Sequence, residues 1–174
     1  MKTINCLATI FIALLFLHCS NPSSPNEHDQ FAIYLLANES LSTRDIEEES
    51  LAKLKLKDRP SISFNDINGY ELKNHKVYLN KNFSYYFGGD SLTIFSHIFG
   101  KPFVLVANET RIYLGSFVSG VSSYAPNTPK IVDFTINNTE KSFRISGAPI
   151  YDESTYSDKR NDIRIIGALG AKLQ

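Results

Sequence analysis

Pro102-Phe103-Val104-Leu105-Val106-Ala107, then Asn108-Glu109-Thr110, then Arg111-Ile112-Tyr113-Leu114-Gly115-Ser116-Phe117, is the stretch that decides the fold. Two runs dense in β-branched and aromatic residues flank a short polar break, which predicts a β-hairpin over about 102–117. Successive strand side chains point to opposite faces, so Val104, Val106, Ile112 and Leu114 are expected to enter a core.

Working outward, Phe31 to Ala37 is a short apolar run bounded by polar residues and reads as a buried strand. Ala52-Lys53-Leu54-Lys55-Leu56-Lys57 alternates strictly and predicts a half-exposed strand with lysines on its solvent face. Lys76 to Leu79 is a further strand candidate. Ser42 and Asp45 open a short helix whose first turns carry Asp45, Glu47, Glu48 and Glu49, where the helix dipole favours acids. Ser63-Phe64-Asn65-Asp66 has the form of a helix start. Asp90 or Ser91 can cap a helix through Leu92, Ile94, Phe95, Ile98 and Phe99, stopped by Gly100. Beyond the hairpin, strands are expected near 130–135 and 142–145 around an Asn137-Asn138 turn. A closing amphipathic helix over 158–173 would carry Ile163, Ile166 and Leu169. Helices and strands mix without regular βαβ alternation. The prediction is therefore α+β, a single small domain over 31–174 with a mainly antiparallel sheet and two to four short helices.

The chain begins with the charge of Lys2 and an apolar run, Leu7 to Leu17, too short to span a bilayer, followed by the polar stretch from Ser20 to Asn26. This is the pattern of a removable export signal over 1–18. Cys19 stands at the junction, and here the sequence resembles a bacterial lipoprotein. The resemblance implies that the signal is cut before Cys19 and that the cysteine is diacylated on sulfur, palmitate being a typical chain. It also implies that 19–30 is a flexible tether to the membrane. His18 and Phe16 depart from the small residue and the leucine that such signals favour, so ordinary cleavage and a secreted or periplasmic protein is the alternative. The cysteines are Cys6 and Cys19. Cleavage before Cys19 would leave no internal disulfide, so the domain must be held by burial alone.

The whole chain has 18 basic and 18 acidic residues, and losing Lys2 with the signal leaves 17 against 18. A nucleic-acid binder normally carries a strongly basic footprint, so that class is excluded. The 43% hydrophobic content, with 12 Phe and 9 Tyr, suffices for one real core.

The sequence carries no complete catalytic motif. His28, His75 and His97 share no metal-ligand spacing, and no cofactor is expected. Gly115-Ser116-Phe117-Val118-Ser119-Gly120 lacks the spacing of a nucleophile elbow. Gly88-Gly89-Asp90 lacks the Lys-Ser/Thr of a phosphate loop. Asp152 and Glu153 are adjacent and would point apart on a strand. The functional expectation falls instead on the irregular stretch 116–129, where Tyr124, Asn127 and Thr128 are the candidate partner-binding residues. That makes the protein a non-enzymatic envelope module, binding a protein or glycan near the membrane to which Cys19 ties it. The alternative is a hydrolase of envelope material, whose site would bring His75 or His97 to an acid and a serine drawn from distant segments.

A second resemblance spans Lys53 to about Val132, just under half the chain. Pro60-Ser61-Ile62-Ser63-Phe64-Asn65-Asp66-Ile67, then a strand, a helix, a glycine and the hairpin from Phe103 to Phe117, resembles the periplasmic head of the protein-export subunit SecD. It implies a fold and an envelope compartment, without a translocation role.

Overall fold

The computed structural model describes residues 30–88, 94–149 and 157–174. Cys19, the signal, the caps proposed at Asp90 and Ser91, and the pair Asp152 and Glu153 lie outside the described residues. Strands β1 (Phe31–Leu35), β2 (Ile62–Ser63), β3 (Ile67–Glu71), β4 (Lys76–Leu79), β5 (Pro102–Ala107), β6 (Thr110–Val118), β7 (Lys130–Val132) and β8 (Ser142–Ser146) join in one sheet. Four short helices accompany them: α1 (Thr43–Ile46), α2 (Phe83–Phe87), α3 (Ile94–Ile98) and α4 (Ile163–Leu169). The α+β prediction holds, as does the hairpin. Asn108 and Glu109 form its two-residue turn, both with positive φ, as a type I′ connection requires.

The order β2-β1-β5-β6-β7-β8-β4-β3 puts β2 and β3 at opposite edges, yet only Phe64–Asp66 separates them in the chain. Seven strand spacings in a flat sheet would hold those edges about 34 Å apart. The link from Ser63 to Ile67 reaches at most about 14 Å. The sheet must therefore curl until its edges nearly meet, as an open barrel. Its inner face carries the rings of Phe31, Tyr70, Phe103, Tyr113, Phe117 and Phe143, and helix α2 adds that of Phe83, all fully buried. Phe103 lies across Gly115, where a Cβ would come within 2.2 Å of the ring, so the wall accepts only glycine there. Helix α4 packs on β1 and β5, and after it Leu173 bridges to Tyr70 of β3.

Part of the barrel is buried on its outer face too. Val104, Val106 and Leu114 point outward into a second cluster with Leu36, Ile46 and Leu54, so every residue of β5 is buried. Helix α1 and the segment after it form this cover. Thr43 Oγ1 donates to Ser116 Oγ at 2.7 Å, and Thr43 N donates to Gly100 O at 2.8 Å.

Five expectations change in detail. The strand expected near 130–135 stops at Val132, and Asp133–Thr135 makes a 3-10 turn in which the Asp133 carboxylate accepts from Phe134 N. The Ala52 to Lys57 segment keeps its alternation only in part, with Leu54 buried and Lys53 and Lys55 exposed but Ala52 exposed as well, because it begins as a 3-10 turn over Leu51–Lys53. It reaches the sheet through a single bridge from Leu56 to Leu36, because its leucines are covering the outer cluster rather than extending the wall. Ser63 and Asp66 do form a capping box, around one 3-10 turn before the chain resumes as β3. Helix α1 ends at Ile46, so Glu47 stands at its C-terminal cap instead of its first turn. In α4 the buried face is Ile165, Ala168 and Leu169, whereas Ile163 is exposed. Asp162 caps that helix, which starts it five residues later than the polar run suggested and rotates the apolar stripe.

Candidate functional site

The chain enters the barrel at Gln30, whose carbonyl accepts from Asn108 N at 3.0 Å beside the hairpin turn. From that turn β6 runs nine residues to Val118, roughly 25–30 Å. The segment Ser119 to Pro129 therefore begins at the end of the wall remote from where the chain enters. Its irregularity has a topological cause. β7 pairs parallel to β6, Ser116 opposite Lys130, and a parallel partner cannot be reached by a tight turn.

Two carboxylates hold this crossover in shape. Glu47 accepts the Tyr124 hydroxyl on Oε2 at 2.8 Å and the Asn127 backbone N–H on Oε1. Arg44, on α1, lies over the Tyr124 ring, 4.4 Å from its centroid. Burial, then the bond to and charge of Glu47, push the Tyr124 phenol up to about 12. Asp133 holds the other end: Oδ1 accepts from Gly120 N at 3.0 Å and Phe134 N at 2.7 Å, and Oδ2 accepts from Ser119 Oγ at 3.1 Å. The expected trio thus separates. Tyr124 is half-buried and tied to Glu47, Asn127 is exposed with its backbone tied to Glu47, and Thr128 is buried with its hydroxyl unpartnered by any described group.

Two large apolar side chains stand out from the loop and the turn beside it. Val121 is 95% exposed and Phe134 77% exposed. Gly120, next to Val121, has its Cα against the Phe134 ring, where an added Cβ would lie 2.4 Å from Cδ1. A pinned loop carrying exposed apolar side chains can bury them against a partner without paying to order its backbone. Sequence patterning had no means of finding Glu47, Asp133, Val121 or Phe134. The carboxylates lie among ordinary surface acids, and an isolated Val or Phe in a polar stretch reads as core.

A second polar cluster gathers around His75. His75 is buried in the β3–β4 turn, its Nδ1 2.8 Å from the Tyr70 hydroxyl and its Nε2 4.0 Å from Asp158 Oδ2. Arg160 holds Asp158 through Nε at 2.8 Å and a second nitrogen at 2.6 Å. The hydrolase alternative put a histidine beside an acid and a serine; at His75 the acid is 4.0 Å away, beyond hydrogen-bond reach, and the group bonded to the imidazole is a buried phenol. Burial holds the Tyr70 phenol well above and the His75 imidazole below their ordinary values, which disfavours both phenolate and imidazolium. Ser146 lines the open depression beside this group, with Arg144 and Lys73. His97 lies elsewhere, exposed on α3. Ser116 is wholly buried, and Ser119 is bonded to Asp133. Among the described residues no group of three or more His, Cys, Asp or Glu could hold a metal ion, and no helix is long and apolar enough to cross a membrane.

No protein-family model matches the chain, and neither the curated proteins nor the solved structures contain a match.

Proposed function

We propose that this chain is an exported lipoprotein, attached to the membrane through Cys19, whose domain captures a protein of the cell envelope with the apolar tip of the 119–134 region. The observation that carries the reading is the loop itself. It is fixed by Glu47 and Asp133, exposes Val121 and Phe134, and lies at the end of β6 remote from where the tether joins. A protein partner fits better than a glycan. Each oxygen of Glu47 and Asp133 already accepts a bond from the crossover, so these carboxylates serve its shape, while Val121 and Phe134 offer apolar surface. The signal pattern, the junction cysteine and the likeness to the SecD head support the compartment.

Two measurements test this. Cys19→Ser should abolish incorporation of labelled palmitate and leave an uncleaved precursor, and normal maturation would remove the lipoprotein reading. A photo-crosslinking residue at position 121 should give one discrete envelope-protein adduct in cells, with Phe134→Asp reducing its yield about tenfold. An adduct indifferent to Phe134→Asp, or none at all, would remove the binding reading.

A further inference from the structure

At the same remote end, on the other side of α1, the wall carries a recess of about 150 Å³. Its floor is apolar, built from Leu36, Leu41, Phe87, Ile98 and Pro102. Its mouth is cationic, with Lys57 and Lys101 and the exposed His97 beside them. An enclosed cavity of this volume lined by Leu, Ile and Phe holds a benzene ring, and this recess matches it in volume while opening to solvent at its mouth.

The two lysines converge on one residue. Lys57 Nζ lies 2.6 Å from Glu39 Oε1, and Lys101 Nζ donates to the Glu39 carbonyl. The Glu39 side chain is 72% exposed, and its backbone sits in the turn closed by Asn38 Oδ1 accepting from Ser40 N at 3.0 Å. The carboxylate of Glu39 can therefore swing into solvent without disturbing the wall. The backbones of both lysines are fixed independently of Glu39, Lys57 N donating to Leu35 O at 2.9 Å and Lys101 N to Ile98 O at 3.0 Å, so both side chains still start from the rim if the carboxylate leaves. The Lys101 ammonium then keeps its bond to the Glu39 carbonyl, and that of Lys57 is released for another anion. The bonds that Lys57 makes to Glu39 depress that carboxyl, with Lys101 adding to the effect, so the mouth favours an anion.

We propose that this recess binds a small carboxylic acid with a compact apolar body of about six carbons, and that Glu39 occupies the anion position in its place. The apolar body fills the recess over Leu36, Leu41 and Ile98. The ligand carboxylate displaces that of Glu39 and takes up Lys57 and Lys101. This site is separate from the Val121–Phe134 surface and stands or falls without it.

Benzoate is the probe, with benzyl alcohol lacking the charge and acetate lacking the body. The full chain as cells process it, 13C-labelled on leucine and isoleucine methyls, is titrated with each. Benzoate should shift the Leu36, Leu41 and Ile98 methyls saturably, and the other two compounds should bind about tenfold more weakly or worse. Lys57→Met and Lys101→Met, which keep the apolar stem, should each weaken benzoate about tenfold. Glu39→Ala should tighten it several-fold, because the internal competitor is gone. That increase is the outcome a merely structural role for Glu39 would not give. Equal binding of benzyl alcohol, no methyl shifts with benzoate, or weaker binding by a Glu39→Ala chain that melts like the parent would each overturn the proposal.

Discussion

The hairpin Pro102 to Val118 and the loop Ser119 to Pro129 are consecutive in the chain, yet they are ordered by different forces. The hairpin holds because both faces of β5 are buried, one in the ring-filled barrel and one beneath α1. The loop holds because carboxylates satisfy backbone and side-chain donors that strand pairing leaves out. One of them, Glu47, lies 77 residues from Tyr124 in sequence and 80 from Asn127. Apolar order is distributed over many contacts and sets global stability. Polar order of this kind is concentrated in a few bonds and sets local shape, so the two should respond differently to truncation, to pH and to backbone changes.

Truncating the hairpin gives the largest expected effects. Phe117 touches the rings of Phe83, Phe87 and Phe103, and Phe117→Ala should cost about 3–5 kcal/mol. Leu114 is its outward counterpart, and Leu114→Ala should cost about 2–4 kcal/mol. Urea denaturation measures both. A cost for Leu114→Ala no greater than that of a surface substitution would show that α1 merely lies on the wall, and the two-faced account of β5 would fail.

Cutting the loop's clamp should do much less to the whole. Glu47→Ala removes an acceptor of two bonds at a half-buried position, and about 1 kcal/mol is expected. The amide of Asn127 should exchange far faster while the β5 and β6 amides stay protected. Tyr124→Ala should likewise leave the melting temperature nearly unmoved and weaken the Val121–Phe134 contact through the loosened loop. Uniformly faster exchange in either variant would mean that the loop and the wall unfold as one unit.

Acidity separates apolar from polar order in another way. Burial holds the His75 imidazole below its ordinary value, the charge of Arg160 adds to that, and Asp158 opposes it. The phenols of Tyr70 and Tyr113, also facing this group, are pushed up and stay neutral. An unfolded histidine titrates near 6.5, so below about that pH the unfolded chain binds a proton that the folded chain resists. The contribution is full above about pH 6.5 and is lost as pH falls from there through the folded value. Asp158 is held low because the bonds and charge of Arg160 outweigh its burial. Its loss therefore comes at more acid pH. His75→Asn suits the positive φ of that turn and should flatten stability between pH 7 and 5. Phe117→Ala should lower the curve without changing its slope, and an unchanged slope in His75→Asn would relocate the titrating group.

Much of the apolar half was legible in the residues. Alternation and composition predicted the hairpin, the strands at Phe31, Lys76 and Ser142, and the α+β class, because burial follows local periodicity. Barrel closure was not legible. It depends on Phe64–Asp66 joining opposite edges of the sheet, a fact of strand order that no window of sequence contains. The polar half was hidden for a related reason. Tyr124 could be singled out as an aromatic in an irregular stretch, but its partner Glu47 looked like one of four dipole-favoured acids until α1 proved to end at Ile46. Lys57, read from sequence as part of a solvated lysine face, meets Glu39 where Leu56 bridges to Leu36 just past β1.

The smallest expected effect returns to the hairpin, at its turn. Asn108 and Glu109 both have positive φ, 48° and 62°. Asparagine tolerates that region, whereas a glutamate there carries roughly 1–2 kcal/mol of steric cost. Glycine would relieve it, but glycine also gains freedom in the unfolded chain, worth about 0.4–1 kcal/mol in the other direction. The balance favours Glu109→Gly by roughly 0.5 kcal/mol, or a melting temperature about 1–2 °C higher for a domain of this size. Asn108→Gly has less strain to relieve and should give no gain. Opposite results at the two positions would place the remaining strain of the hairpin in its turn. A destabilising Glu109→Gly would instead mean that the Glu109 side chain contributes more than its backbone costs, which the apolar account of this hairpin does not contain.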